Sequence, residues 1–483
     1  MSATLFRRAL LPIVLLVVLA AFLFWKSLPP SNAVLVLTHV TVVDATGAPP
    51  KPDMTVVIHD GRIVTVGPSA TAEVPADAKL VNAAGQFLIP GLWDMHVHLS
   101  AAGEPQGSRE FFLPLLLANG ITGVRDMGGY LDSLVPLRTE IASGKRLGPR
   151  IVFAGPYVDG PEPGFQPSIA VSTEEKARNA VRRLKQEGVD FIKVQSRLPR
   201  GAFFALADEA RRNRIPFAGH VPETVTAEEA SAAGQRSLEH LTPVFLNCVE
   251  ENTPPGAART DGSEAAHTRA LLAGFREEKA ASLGAVFRKN DTWQVPTLAL
   301  LSRFTFLADP LAGDLQTQQG HPWQQVPSSL RERWAKALQG RFAGYSGEDL
   351  QSRRALLEKH LELVRTMHRA GVKFLAGTDS PAPDLVPGYS LHGELRMLVD
   401  AGLTPMEALQ AATRNPAEFL GQSDSFGTVE RRKTADLVLL EANPLESISN
   451  TRKIFAVIVR GKYLSRADLR LLLAGAQSFA AKH

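Results

Sequence analysis

Six side chains in this sequence have the types and positions needed to hold metal ions and use them to break a bond. The first two lie in Asp94-Met95-His96-Val97-His98. Residues two apart on an extended strand face the same side, so His96 and His98 can reach one ion together. Lys193 lies within Asp190-Phe191-Ile192-Lys193-Val194, an apolar stretch in which an unpaired ammonium would be costly. His220 ends Pro216-Phe217-Ala218-Gly219-His220, and His240 ends Ser237-Leu238-Glu239-His240. Asp379 ends Phe374-Leu375-Ala376-Gly377-Thr378-Asp379. Four histidines, a carboxylate and a lysine suit zinc or a similar borderline metal, provided the fold brings them together.

The surrounding pattern predicts how they meet. Short apolar strands are expected over 92–98, 121–125, 150–154, 191–195, 217–220, 237–240, 294–298 and 372–379. Segments with helical spacing alternate with them, among them 173–187 and 201–213. Ser172, with Glu175 three residues on, reads as the capping box of the first. Strands alternating with helices in this way predict an α/β fold, a (β/α)8 TIM-like barrel over residues 91–416. The six residues then fall at the C-terminal strand ends, where barrel enzymes place their chemistry. Only one convincing strand falls between 241 and 373. An inserted region over about 245–350, rich in helix, is expected there as a lid or substrate wall.

Either side of this region the rhythm is that of short strands. Those at 34–37, 40–43, 55–59 and 62–66 come early, with Asp60-Gly61 as a hairpin turn, and those at 437–440 and 455–460 come late. Together they predict a small β-sandwich domain built from both ends of the chain, 33–90 and 417–465, followed by a C-terminal helix over 466–483. At the N-terminus, Arg7 and Arg8 precede an apolar run over 9–25 that Lys26 closes. As a helix this run spans about 25 Å, adequate for a thin bilayer. Residues 1–32 are therefore read as a transmembrane signal-anchor and linker. They leave the N-terminus in the cytoplasm and the catalytic body outside it, in the periplasm if the cell has one. A cleaved signal peptide with secretion is the alternative.

Composition narrows the classes further. The chain has 483 residues, 45% hydrophobic, which is enough for a sizeable core. Its net charge of +4 is spread without any block of basic residues, so nucleic acid is not an expected partner. A single cysteine, Cys248, excludes an intrachain disulfide and a cysteine-based zinc site. The expected partners are a small-molecule substrate and a lipid bilayer; a homo-oligomer stays open.

The motifs together resemble the amidohydrolase superfamily, in particular its imidazolonepropionase-like and Xaa-Pro/Xaa-Arg dipeptidase branch. The resemblance rests on Pro90-Gly91-Leu92-Trp93-Asp94-Met95-His96-Val97-His98, Gly123-Val124-Arg125-Asp126, Asp190-Phe191-Ile192-Lys193 and Ala218-Gly219-His220. It continues through Glu239-His240, Gly377-Thr378-Asp379, Ser390-Leu391-His392-Gly393-Glu394-Leu395, Ala411-Ala412-Thr413-Arg414-Asn415-Pro416-Ala417 and Ala435-Asp436-Leu437-Val438. It implies that His96, His98 and Asp379 bind one Zn2+, and that Lys193, carboxylated by CO2, bridges to a second held by His220 and His240. Asp379 would then shuttle the proton in hydrolysis of an amide bond in a dipeptide or N-acyl amino acid. Two departures stand out. Where several relatives carry Gly-Gly-His after the third strand, this chain has Ala154-Gly155-Pro156-Tyr157-Val158-Asp159-Gly160. Before Ala435-Asp436 it has Arg431-Arg432-Lys433-Thr434 instead of Pro-Gly-Lys. Tyr157 and His392 are candidate substrate contacts, and Arg125 is either that or a structural ion pair.

A mononuclear zinc deaminase or cyclic-amide hydrolase is the alternative enzyme, since His220-Val221-Pro222-Glu223 has the His-x-x-Glu spacing used for proton delivery there. Lys193 counts against it. A non-catalytic, membrane-tethered binding protein is the alternative outside enzymes.

Overall fold

The computed structural model describes residues 34–100, 108–250, 264–306 and 322–483. The anchor expected over 1–32 lies outside them. Among the described residues no helix is long and apolar enough to cross a membrane.

The strands are, in chain order, β1 (Leu35–Val42), β2 (Lys51–His59), β3 (Arg62–Pro68), β4 (Lys79–Asn82), β5 (Phe87–Pro90), β6 (Leu92–Val97), β7 (Ile121–Asp126), β8 (Arg150–Phe153) and β9 (Tyr157–Asp159). They continue as β10 (Ser168–Ala170), β11 (Ile192–Val194), β12 (Phe217–Gly219), β13 (Ser237–Glu239), β14 (Trp293–Val295), β15 (Leu437–Leu440), β16 (Ile454–Val459) and β17 (Lys462–Leu464).

Both ends of the chain build one sheet. Its order is β17-β16-β15-β5-β1-β2-β3, with β4 also paired to β1. The strands expected as a two-layer sandwich thus belong to one continuous hydrogen-bonded sheet. Asp60 and Gly61 both have positive φ (48° and 72°), which matches the right-handed twist of the β2–β3 hairpin they connect. Leu37, Val56, Ile63, Leu437 and Ile458 are among the residues that fill this sheet's own core.

Between these ends the strands run parallel. β6-β7-β8 form one sheet, and β10-β9-β11-β12-β13-β14 form another. Every residue of β6 and β7 is buried, as expected of parallel strands covered on both faces. The Asp190 N–H donates to Phe153 O, carrying the bonding from β8 toward β11. At the other edge, Gln294 bridges to Phe374 and Val97 to Ser380, both in parallel sense, and Met95 N–H donates to Ala376 O. The segment 372–380 therefore lies between β14 and β6 without regular strand geometry. Near its end Asp379 turns to φ 64°. Trp93, Phe191, Ala218, Trp293, Val295 and Leu375 meet in one apolar cluster inside these strands.

Helices cover the outside. Glu174–Gln186 buries Ala177, Ala180, Val181 and Leu184 and packs against Arg200–Arg212. Its cap is Thr173 rather than Ser172: the Thr173 side chain accepts the Lys176 N–H from extended backbone, and no reciprocal capping box forms. Among the described residues between 241 and 373, β14 is the single strand, and the long helices Ser328–Phe342 and Gly347–Arg369 occupy the region expected to be helical. Trp334 of the first donates its indole N–H to Pro381 O at 2.9 Å, two residues beyond Asp379. The C-terminal helix, Arg466–Ala480, packs against Ser108–Ala118.

Candidate metal centre

All six residues singled out by type and spacing sit at or beside strand ends, and they converge. Nε2 of His96 and Nε2 of His98 lie 3.2 and 2.9 Å from Oδ1 of Asp379. One ligand atom from each of these three residues lies within 4.8 Å of the other two. The row of imidazoles continues past them. The His96 and His240 rings are 4.9 Å apart, and the His240 and His220 rings are also 4.9 Å apart. Lys193 is only 1% exposed, and among the described residues its Nζ has no hydrogen-bond partner. Gly219 makes room for it: a Cβ there would stand 2.8 Å from Lys193 Cδ and 2.4 Å from Val194 O.

Each imidazole is fixed through Nδ1, on the side away from this convergence. His96 Nδ1 meets Glu239 Oε2 at 2.8 Å, and His98 Nδ1 meets Gly128 O at 3.1 Å. His220 Nδ1 meets Ser196 Oγ at 2.8 Å, and His240 Nδ1 meets Thr297 Oγ1 at 2.7 Å. A carboxylate or a carbonyl only accepts, so in neutral His96 and His98 the proton sits on Nδ1 and Nε2 presents a lone pair. Such outer bonds set the tautomer and aim of metal-binding histidines. The backbone is strained where this is done: His240, Thr297 and Asp379 have φ of 62°, 48° and 64°. For a β-branched residue such as Thr297 this region is strongly disfavoured.

A second layer ties the strands together beneath the histidines. The Arg125 guanidinium is fully buried and donates to Met95 O, Ser237 Oγ and Glu239 Oε1, the last at 2.9 Å. Arg125 therefore serves a structural ion pair. Asp94 accepts the His96 N–H, the Thr378 N–H and the Thr378 hydroxyl, joining β6 to the segment that carries Asp379. Asp126 accepts from the N–H groups of Leu99 and Gly128.

Burial and neighbouring charge tune these groups in opposite directions. Burial pushes Lys193 down to about 8 and His240 to about 3, with His220 also well below its ordinary value. For both histidines the nearby Lys193 adds to the effect. Burial alone would raise Asp379 and Glu239, but the surrounding histidines, and Arg125 for Glu239, hold both well below the carboxylate range. Burial would lower His98, yet its bond to Asp379 raises it. The result is two neutral imidazoles, two ionised carboxylates and a readily deprotonated amine at neutral pH. Imidazole Nε2 atoms and a carboxylate oxygen that converge in this way fit a metal ion, which would take the place of the direct contacts of Asp379 with His96 and His98.

The two candidate substrate contacts differ in position. The Tyr157 hydroxyl lies 3.1 Å from His98 Nδ1, against the metal-side residues. His392 is buried elsewhere, with Nδ1 2.9 Å from Thr451 Oγ1. It faces the C-terminal segment because its helix, Tyr389–Asp400, packs on Ile448–Arg452, so a substrate role is not supported. Glu223 is exposed, three residues beyond His220. Sequence reading passed over Glu239, Ser196 and Thr297. Glu239 carried the same signal as Lys193, a charge within an apolar strand; the two hydroxyl residues carried none.

Comparison with known proteins places these features in a wider set. Residues 87–255 and 326–464 match the model of the Amidohydrolase family. The chain is 25% identical to ochratoxinase of Aspergillus niger over 421 residues, covering 75% of this chain and 71% of that protein. It is 26% identical to imidazolonepropionase of Vibrio cholerae over 435 residues, covering 84% and 92%. Among solved structures, a candidate prolidase from Bifidobacterium longum superposes with a TM-score of 0.66 at 27% identity, covering 92% of this chain and 99% of that one.

Proposed function

The chain belongs to the amidohydrolase family, in its imidazolonepropionase- and prolidase-like branch, and is a hydrolase of carbon–nitrogen bonds; from this premise we propose that it cleaves the amide bond of a dipeptide or N-acyl amino acid. We read the eight parallel segments from β6 to 372–380, leaving aside β9 and β10, as a closed (β/α)8 barrel, with the composite sheet as a second domain. His96, His98 and Asp379 would hold one Zn2+, His220 and His240 a second, with carboxylated Lys193 between them. The observation that carries this reading is Lys193 Nζ, buried among inward-facing histidines and without a hydrogen-bond partner among the described residues. Carboxylation turns an uncompensated cation into an anionic ligand.

Zinc, when bound, supplies Lewis acidity that polarises a carbonyl and makes water nucleophilic at neutral pH. The residues do the rest. Outer bonds from Glu239, Gly128, Ser196 and Thr297 keep the imidazoles aimed. Asp379, held ionised, accepts the proton of the attacking water and delivers it to the leaving nitrogen, so that acid and amine are the products. The test is metal content beside turnover of dipeptides and N-acyl amino acids. About two zinc ions per chain, and loss of one together with activity in Lys193→Ala, are expected. About one zinc, with activity kept in Lys193→Ala, would instead favour the second reading, a mononuclear cyclic-amide hydrolase. The His220-x-x-Glu223 spacing and the similarity to imidazolonepropionase favour that alternative.

Residues 1–32 are read as a membrane anchor that leaves this body outside the cytoplasm. Protease added to intact spheroplasts should then degrade the catalytic body; its protection would refute the export.

A further inference from the structure

Beyond His98 a row of aromatic rings continues outward. The Tyr157 ring lies 5.9 Å from that of His98, and the Phe165 ring lies 6.2 Å beyond Tyr157. Exposure rises along the row: Tyr157 is 3% exposed and Phe165 60%. A phenylalanine left largely in water gives up most of the ~1.5–3 kcal/mol its burial would contribute.

Arg197 stands beside it. Its Nη1 donates to Glu162 O at 2.8 Å, and among the described residues no carboxylate pairs with it. A Cβ added at Gly164 would lie 3.8 Å from the Arg197 guanidinium carbon, so the cation rests against the residue preceding Phe165. Arg197 also directly follows Ser196, which holds His220 Nδ1. The cation thus lies beside the residue that precedes the exposed ring, and both residues connect within one residue to a contact on a candidate metal ligand.

The loop that presents them is built rather than slack. Asp159 is 2% exposed, and its Oδ1 accepts the N–H groups of Gly160 and Arg197 at 2.9 and 3.0 Å. Its Oδ2 accepts the Gly164 N–H at 3.1 Å. Gly160 packs so closely that a Cβ would stand 2.2 Å from Arg197 O. One buried carboxylate therefore staples the start and the middle of the loop to the backbone of Arg197. Connecting β9 to β10 requires no such staple, whereas holding an aromatic face and a guanidinium in fixed relation does.

We infer that Phe165 and Arg197 form the subsite for the amino-acid half of the substrate, taking an aromatic or large apolar side chain together with its free carboxylate. This deepens the reading as an amide hydrolase and rests on it. A guanidinium can grip a carboxylate through two parallel N–H bonds, and an exposed ring offers a stacking face. Tyr157, whose hydroxyl is already turned to His98, is then the floor of the subsite rather than its anion contact.

The test uses the full-length, zinc-loaded protein and three probes that carry no amide bond: L-phenylalanine, L-phenylalaninol and glycine. Titration calorimetry is expected to show L-phenylalanine bound at least about 10-fold tighter than either of the others. Arg197→Met should remove its preference over L-phenylalaninol, and Phe165→Ala its preference over glycine, with Phe165→Leu restoring part of the latter. Both variants should keep the wild-type circular dichroism spectrum. With N-acetyl-L-phenylalanine as substrate, Arg197→Met should raise KM about 10-fold and leave kcat within about two-fold. An unchanged acid-to-alcohol ratio in Arg197→Met, or a wild-type protein that binds none of the three probes, overturns the subsite. Should no N-acyl amino acid be hydrolysed while the carboxylate preference is present and lost in Arg197→Met, amide cleavage fails and the subsite stands.

Discussion

Glu239 and His96 face each other at 2.8 Å, carboxylate to Nδ1, with almost no solvent on either side chain. The other oxygen of the same carboxylate neutralises the fully buried Arg125. One side chain thus fixes the tautomer of a candidate ligand and balances a cation in the core. Glu239→Gln keeps the shape and removes the charge. It should weaken zinc binding about 10–100-fold in a competition with a chelating dye. It should also lower unfolding free energy by about 3–5 kcal/mol in denaturant melts, because Arg125 is left buried and uncompensated. Zinc affinity at the wild-type level would mean that His96 is aimed without Glu239.

Trp334 links the helical region to the loop that follows Asp379, through its indole N–H and Pro381 O. Trp334→Phe retains most of the ring and orphans a buried carbonyl. The expected cost is about 1–3 kcal/mol in stability. Because the freed loop begins two residues after Asp379, kcat should fall by about 10-fold or more while KM changes little. Steady-state kinetics on an N-acyl amino acid separates the two. A KM effect alone would place this helix on the substrate rather than on the proton shuttle.

Much of this site was legible in the chain because five of its six residues punctuate strands. His96, His98, Lys193, His220 and His240 each stand out as polar against an apolar stretch of a few residues. Asp379 was placed correctly, although its segment is not a regular strand: its left-handed φ and the bridges to Gln294–Phe374 and Val97–Ser380 depend on neighbours distant in sequence. Pairing was less legible than position. Nothing local to Arg125 says that its partner is 114 residues away, or that Ser237 shares it. The surroundings of His392 were illegible for the same reason, since its Nδ1 meets Thr451 Oγ1, in a segment nearly sixty residues later. The capping error was one of register: Ser172 and Thr173 carry the same hydroxyl chemistry, and only the backbone angles select the second.

Gly219 sets a steric limit on the lysine. A Cβ at this position would overlap Lys193 Cδ and the backbone of Val194, and the residue has φ 129°. Gly219→Ala should therefore push Lys193 from its place between the histidines. The expected outcome is a protein that holds about one zinc fewer and loses activity about as completely as Lys193→Ala does. Metal analysis beside turnover is the check, and full zinc content with full activity would show that the strand can shift to accept a methyl group.

Glu394 supplies a dependence on pH that does not involve the metal. It is fully buried, and Oε2 accepts the Ala299 N–H at 2.7 Å at the start of the helix that follows Thr297. Burial pushes its carboxyl up to about 8, against an ordinary value of 4.5. Between these values the folded chain holds a proton that the unfolded chain releases. Stability is therefore lost progressively as pH rises from about 4.5 to about 8, and this contribution is level on either side. Glu394→Gln cannot ionise, and it keeps a carbonyl oxygen for the Ala299 N–H. The melting temperature of the variant relative to wild type should thus rise steadily from pH 5 to pH 8 in metal-free protein. A difference that stays constant across that range would show Glu394 already ionised in the fold.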